Sequence, residues 1–229
     1  MVRKRSKLIR IHVWGQWGCF TIPALKAERV SYPVITPSAA GQLISSIYWK
    51  PEFEWEISKI SLLSVPKYVS LMRSELKTKG PTDISNPDMT TLRNTMALQD
   101  PSYVLEAAIV TNPLRDSRGR GPDSYRAEAL RRMHRGEQFR APFMGMTGFP
   151  AFYELVPDGE VIKPVSCTMS VEGLLLNMVP VSLKKDHFQP VAFDAMIEAG
   201  VLKVPEALYE PHREQIFMAR NEGHRHASE

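Results

Sequence analysis

Tyr48, Trp49, Lys50 and Pro51 stand in a row within the stretch RVSYPVITPSAAGQLISSIYWKPEFEWEI. A phenol, an indole and an ammonium side by side, with proline as the stop, suit two structures. One is a packed helix end; the other is a surface for something flat and negatively charged. Eight arginines stand against four acids between Arg115 and Arg140, and Arg3, Lys4, Arg5, Lys7 and Arg10 crowd the first ten positions without an acid. A guanidinium meets phosphate through two parallel N–H donors, so this distribution favours nucleic acid over a merely solvated helix face. The net charge of +4 decides nothing by itself.

The elements that must position these groups are legible. Lys7 to Trp14 alternates apolar and polar residues, which is a strand. Thr36 is a good N-cap and Pro37 suits the first helical position, where its missing N–H costs nothing. Ala40, Leu43, Ile44, Ile47 and Tyr48 then make one apolar stripe, and Pro51 ends the helix by forcing Lys50 out of the helical region. A strand follows from Phe53 to Leu63. KYVSLMRSELKTKG reads as a basic hairpin arm or a short helix, and TTLRNTMALQD is ambiguous. Tyr103 to Val110 is a strand, and a second helix runs from Pro122 and Asp123 to Gly136. Strand, helix, strand, strand, helix is most of a split βαβ plan. Beyond it, Pro157-Asp158-Gly159 signals a hairpin, GLLLNMVPVSL a buried strand, and PVAFDAMIEAGVLKVP a short helix ended at Gly200 plus a terminal strand piece. After Arg213 the chain reads as a flexible charged tail.

Composition excludes several classes. No apolar run reaches the roughly 18 residues of a membrane span, and the start of the chain lacks a signal-peptide core, so a cytoplasmic protein is expected. Cys19 and Cys167 sit in no Cys-x-x-Cys or Cys/His cluster, which argues against a disulfide framework or a zinc site. No metal or cofactor is expected.

Four segments in order resemble one family. RVSYPVITPSAA…SIYWKP, LRNTMALQDPSYVLEA, FRAPFMGMTGFPAFYEL and PVAFDAMIEAGVLKVP are similar to stretches of the CRISPR-associated Cas-five proteins of subtype I-C, over roughly residues 8 to 206. The resemblance implies an α+β fold: a ferredoxin-like (RRM-like) RNA-binding domain over residues 7–138, a small antiparallel β-rich domain over 139–212, and the tail over 213–229. It implies a CRISPR antiviral defence protein that binds CRISPR repeat RNA, cleaves the precursor without metal and keeps the 5′ handle. Its partners would be the backbone and large subunits of a type I-C Cascade complex, with target DNA reached through that complex and no membrane. A non-cleaving, purely structural handle-binding subunit is the alternative. A basic enzyme acting on a small acidic substrate is a reading outside the family.

Metal-free cleavage uses the 2′-hydroxyl as nucleophile. It needs a proton acceptor, a donor for the leaving oxygen and positive groups around the phosphorane. The resemblance makes Tyr48 the catalytic candidate, together with a Lys-His pair opening the second helix. That pair is replaced by Ser124 and Tyr125. An unperturbed tyrosine is only about a thousandth ionised at pH 7, so Tyr48 suits positioning or proton donation better than proton acceptance. Tyr125 could join it, and Arg126 could stand in for the lysine. His134 falls too far along the helix. Lys50, Arg73, Lys77, Lys79, Arg93 and Arg126 are the RNA-binding candidates, Arg93 with Glu106 as an alternative partner. The loop MGMTGF (144–149) could approach a phosphate backbone. From pattern alone Tyr48 also suits a buried ring closing its stripe.

Overall fold

The alternation in the first strand is realised as expected: Ile9, Ile11 and Val13 are at most 2% exposed, while Arg10, His12 and Trp14 face the other way. On that face the imidazole of His12 bridges Glu154 (2.8 Å) and Ser102 (2.9 Å) and stacks on Trp14. The computed structural model describes residues 5–25, 28–76, 90–113, 115, 119–181 and 188–222. Lys77 and Lys79 lie outside the described residues.

Strand β1 (Ile9–Trp14) pairs antiparallel with β6 (Ser102–Thr111) on one side and β7 (Phe152–Leu155) on the other. β6 pairs antiparallel with β3 (Phe53–Leu62). Helix α1 (Pro37–Ile47) connects β1 to β3, and α2 (Pro122–His134) connects β6 to β7. Beyond β3 the same sheet continues through β10 (Val201–Lys203), β9 (Phe188–Glu198) and β8 (Met169–Pro180), giving the order β7-β1-β6-β3-β10-β9-β8. A smaller sheet has the order β2-β5-β4, from Trp17–Gly18, Thr90–Gln99 and Tyr68–Leu76. The protein is therefore a mixed α/β fold built on mostly antiparallel sheet.

The cap predicted for α1 is present: the Thr36 hydroxyl accepts from the Ala39 N–H at 3.1 Å. The helix buries Ala40, Leu43, Ile44 and Ile47 and packs against β3 and β8, while α2 packs against β6 and β7. The arm-or-helix segment is the strand β4, and the ambiguous stretch beside it is β5, paired from Tyr68↔Leu98 to Leu76↔Thr90.

Three expectations differ from what is seen. The segment before Gly200 is β9 rather than a helix, because the buried residues Ala195 and Ile197 recur every second position and pair with β8. Its Ala, Met and Glu residues favour helix, and strand pairing overrides that preference. No hairpin forms around Pro157-Asp158-Gly159. The Arg10 guanidinium donates to the carbonyls of Pro157 (3.4 Å) and Glu160 (2.8 Å), so those groups are satisfied outside any ladder. Finally, residues 210–222 form α3 (Glu210–Glu222), with Phe217 2% and Arg213 7% exposed. Arg213 meets Glu56 of β3 in a two-pronged ion pair at 2.5 and 2.7 Å, and Glu206 at 2.8 Å.

Candidate active site

Tyr48 is placed by backbone chemistry at the point where α1 stops. Its N–H donates to the Ile44 carbonyl (3.0 Å), its own carbonyl accepts from the Trp55 indole (2.8 Å), and its φ of −144° takes the chain out of the helix. The Phe53 N–H donates to the Lys50 carbonyl at 3.3 Å across the turn at Pro51. The Tyr48 ring is 1% exposed and packs on Phe53 (5.4 Å between centroids), which in turn meets Tyr125 at 5.3 Å. The buried ring closing the apolar stripe is thus present, and charged groups surround it as well.

Those charges come from three elements. The Lys50 ammonium lies 5.9 Å and the Arg132 guanidinium 5.3 Å from the Tyr48 ring centre, and Arg120 sits 5.1 Å over Tyr125. Glu128 of α2 gathers all three cations: Lys50 at 3.4 Å, Arg120 at 3.2 Å and Arg132 at 3.6 Å. The Tyr48 hydroxyl faces the same carboxylate without meeting hydrogen-bond geometry, so it is a buried phenol with its O–H unpaired.

The electrostatics follow from this crowding. Burial, then the charge on Glu128, push the Tyr48 phenol well above the usual tyrosine range, with Arg120 and Arg132 opposing more weakly. Tyr48 is therefore protonated at neutral pH and cannot serve as a proton acceptor there. Burial raises the Glu128 carboxyl, but Lys50 above all, with Arg120, outweighs it and holds the group below its usual range, ionised. A cavity of about 300 Å³ is lined by Gln42, Ser45, Trp49, Phe139 and Arg140, none of which belongs to the Glu128 cluster, although Trp49 stands between Tyr48 and Lys50 in the chain. Phe139 is 69% exposed there.

The other candidates are distributed elsewhere. Arg126 donates through Nε and Nη2 to the Leu8 carbonyl (3.2 and 3.1 Å), pinning the approach to β1, so it does not replace a lysine beside Tyr48. Arg73 lies in the smaller sheet, 4.7 Å over the Phe149 ring, and Arg93 is its cross-strand neighbour. Glu106 is held by Lys59 and, at 4.0 Å, by Arg10. The loop at 144–149 lies on the protein itself: the Cys19 N–H donates to the Met144 carbonyl at 3.0 Å, and a Cβ at Gly145 would collide with the Cys19 carbonyl. His134 is exposed at the far end of α2. Sequence reasoning missed Glu128, Arg120 and Arg132 as site groups. Glu128 and Arg132 follow Tyr125 at i+3 and i+7, the spacing of one helix face, and that is the signal that carries them.

The model of the CRISPR-associated protein (Cas_Cas5) family matches residues 8–216. The chain belongs to that family. A relative from Thermus thermophilus named CRISPR pre-crRNA endoribonuclease Cas5d is 37% identical over 223 residues, covering 88% of this chain and 93% of its own. One from Mannheimia succiniciproducens with the same name is 34% identical over 218 residues, covering 86% and 94%. A solved structure described as a CRISPR-associated protein superposes with a TM-score of 0.63 at 20% identity, covering 90% of this chain and 95% of that one. A functionally uncharacterized protein from Streptococcus mutans gives 0.64 at 19%, covering 88% and 93%. The family expected from the four segments is the family found, and the two solved structures share its fold.

Proposed function

We propose that this protein is a pre-crRNA endoribonuclease that binds CRISPR repeat RNA, cuts it without a metal ion and retains the 5′ handle. The observation that carries this reading is the 37% identity with the Thermus thermophilus endoribonuclease over nearly the whole of both chains. The cluster at the end of α1 suits the task. Lys50, Arg120 and Arg132 converge on one spot, where a phosphate would be received. Tyr48, being buried and protonated, acts as a positioning group. Arg73 and Arg93 on the β4–β5 ribbon, Arg126 at the start of α2, and Lys77 and Lys79, which lie outside the described residues, make further RNA contacts in this reading.

The strand order β7-β1-β6-β3, antiparallel throughout with α1 and α2 as connections, supports a ferredoxin-like arrangement of residues 7–138, completed by β7. Residues 139–212 act as a β-rich unit fused to the same sheet. No helix among the described residues is long and apolar enough to cross a membrane. The protein would work in the cytoplasm, joined to the backbone and large subunits of a Cascade complex and reaching target DNA through it.

The test is a denaturing gel of the cognate repeat hairpin incubated with the protein in EDTA, wild type beside Tyr48→Phe. Cutting at one site, slowed about tenfold or more by the substitution, is the expected result. The second reading, a handle-binding subunit that does not cut, is favoured by the inaccessible Tyr48 hydroxyl and by Ser124 and Tyr125 at the expected Lys-His positions. It predicts tight binding with intact RNA.

A further inference from the structure

Cleavage by a 2′-hydroxyl requires an acceptor that is unprotonated at neutral pH, with cations beside it to hold the phosphate. The groups facing the site are Tyr48 at the end of α1, Lys50 in the turn after it, Arg120 before α2, and Tyr125, Glu128 and Arg132 on α2. Three of these are cations, and the Tyr48 phenol is protonated. Tyr125 is 2% exposed, with its ring between Phe53 and Arg120. Glu128 is the anion of the group.

Resting on the endoribonuclease reading above, we propose that Glu128 is the proton acceptor for the 2′-hydroxyl and Lys50 the proton donor to the departing oxygen. Two observations beyond the position of Glu128 support this. Three cations surround the one carboxylate, and once Glu128 has taken the proton all three face the dianionic phosphorane of the transition state. A pair meant only to tie α2 to α1 needs one cation. The second is the Tyr48 phenol, buried, unpaired and aimed at Glu128. A phosphate that draws the three cations toward itself frees Glu128 to accept that O–H. The carboxylate is then held by a neutral donor in place of cations, and its basicity rises as the substrate arrives.

The step balances within the site. The 2′-O–H bond breaks and its proton goes to the Glu128 carboxylate as the 2′-oxygen bonds to phosphorus. The bond from phosphorus to the 5′-oxygen breaks, its electron pair stays on that oxygen, and a proton from the Lys50 ammonium neutralises it. The products are a 2′,3′-cyclic phosphate and a 5′-hydroxyl. Glu128 then returns its proton to the Lys50 amine across their 3.4 Å contact, restoring the resting pair.

The experiment is single-turnover cutting of the cognate repeat RNA in EDTA by the intact protein. Wild type, Glu128→Gln and Glu128→Asp are compared, with RNA binding measured on the same samples by filter retention. Glu128→Gln is expected to cut about a hundredfold more slowly while binding RNA at least as tightly, because a negative charge has gone. Glu128→Asp keeps a carboxylate and falls between the two. The wild-type rate is expected to stay level from about pH 5.5 to about pH 8, since an acceptor carboxylate held below its usual range is ionised across that window. Cutting by Glu128→Gln within about threefold of wild type overturns the proposal and leaves the endoribonuclease reading standing. So does a wild-type rate that rises through the histidine range near pH 6.5. Loss of RNA binding together with cutting in Glu128→Gln makes Glu128 part of the framework and also overturns it. Wild type that binds RNA and never cuts overturns this proposal and the endoribonuclease reading together.

Discussion

Tyr48 shows how the surroundings of a single residue decide its chemistry. Its phenol is pushed up first by burial, and the same holds for Tyr103 and Tyr209. A group whose pKa is raised by folding contributes stability that is complete below the unfolded value, about 10 for tyrosine, and is lost as pH rises toward the folded value. The expected outcome is cooperative unfolding above about pH 10, with tyrosinate absorbance appearing together with the loss of circular dichroism. Tyrosinate that titrates fully while the fold persists would count against the burial of these rings. At this scale the sequence was half legible. Tyr48 and Lys50 follow from the apolar stripe and from Pro51. Glu128 and Arg132 follow only once Tyr125 is known to face the end of α1, and Arg120, in the segment before α2, has no periodicity to place it. Arg126 illustrates the sensitivity: one position after Tyr125 it is turned about 100° around the helix, and it reaches Leu8 instead of Tyr48.

Among the elements, α3 is tied to the larger sheet by a buried ion pair. Arg213 and Glu56 are both nearly inaccessible, and Glu206 and Arg5 extend the pair, with Arg5 to Glu206 at 2.6 Å. Removing one partner strands the other as a buried charge. Arg213→Met is expected to destabilise the protein by about 3–5 kcal/mol, read as a lower denaturant midpoint, and adding Glu56→Leu should recover much of the loss. A midpoint unchanged in Arg213→Met would mean that α3 is not held this way. Neither α3 nor β9 was legible in the sequence. A charged stretch reads as a tail until a buried acid on β3 gives its arginine a partner. β9 carries helix-forming residues in a slot whose hydrogen bonds are available from β8 and β10. By contrast, α1, β1 and β6 were legible because their caps and periodicities are local.

For the whole molecule the charge distribution matters more than its sum. If RNA is held through phosphates, binding should weaken steeply with salt as counterions are released, with a log–log slope of about −0.7 per phosphate contact for a single strand. Filter binding between about 50 and about 200 mM salt checks this, and affinity that does not change would remove phosphate contacts from the account. Lys50→Met should make the slope shallower by about one contact.

The order of strands in the larger sheet carries one more implication. Its middle, β1-β6-β3, is flanked on one side by β7 and on the other by β10, both of which come later in the chain than residue 139. A break at that point would strip both edges of the middle strands at once and leave two sticky fragments, each carrying the complement of the other. Coexpressed as separate chains, they are expected to reassemble as a split-protein pair, which co-purification of the two fragments would check.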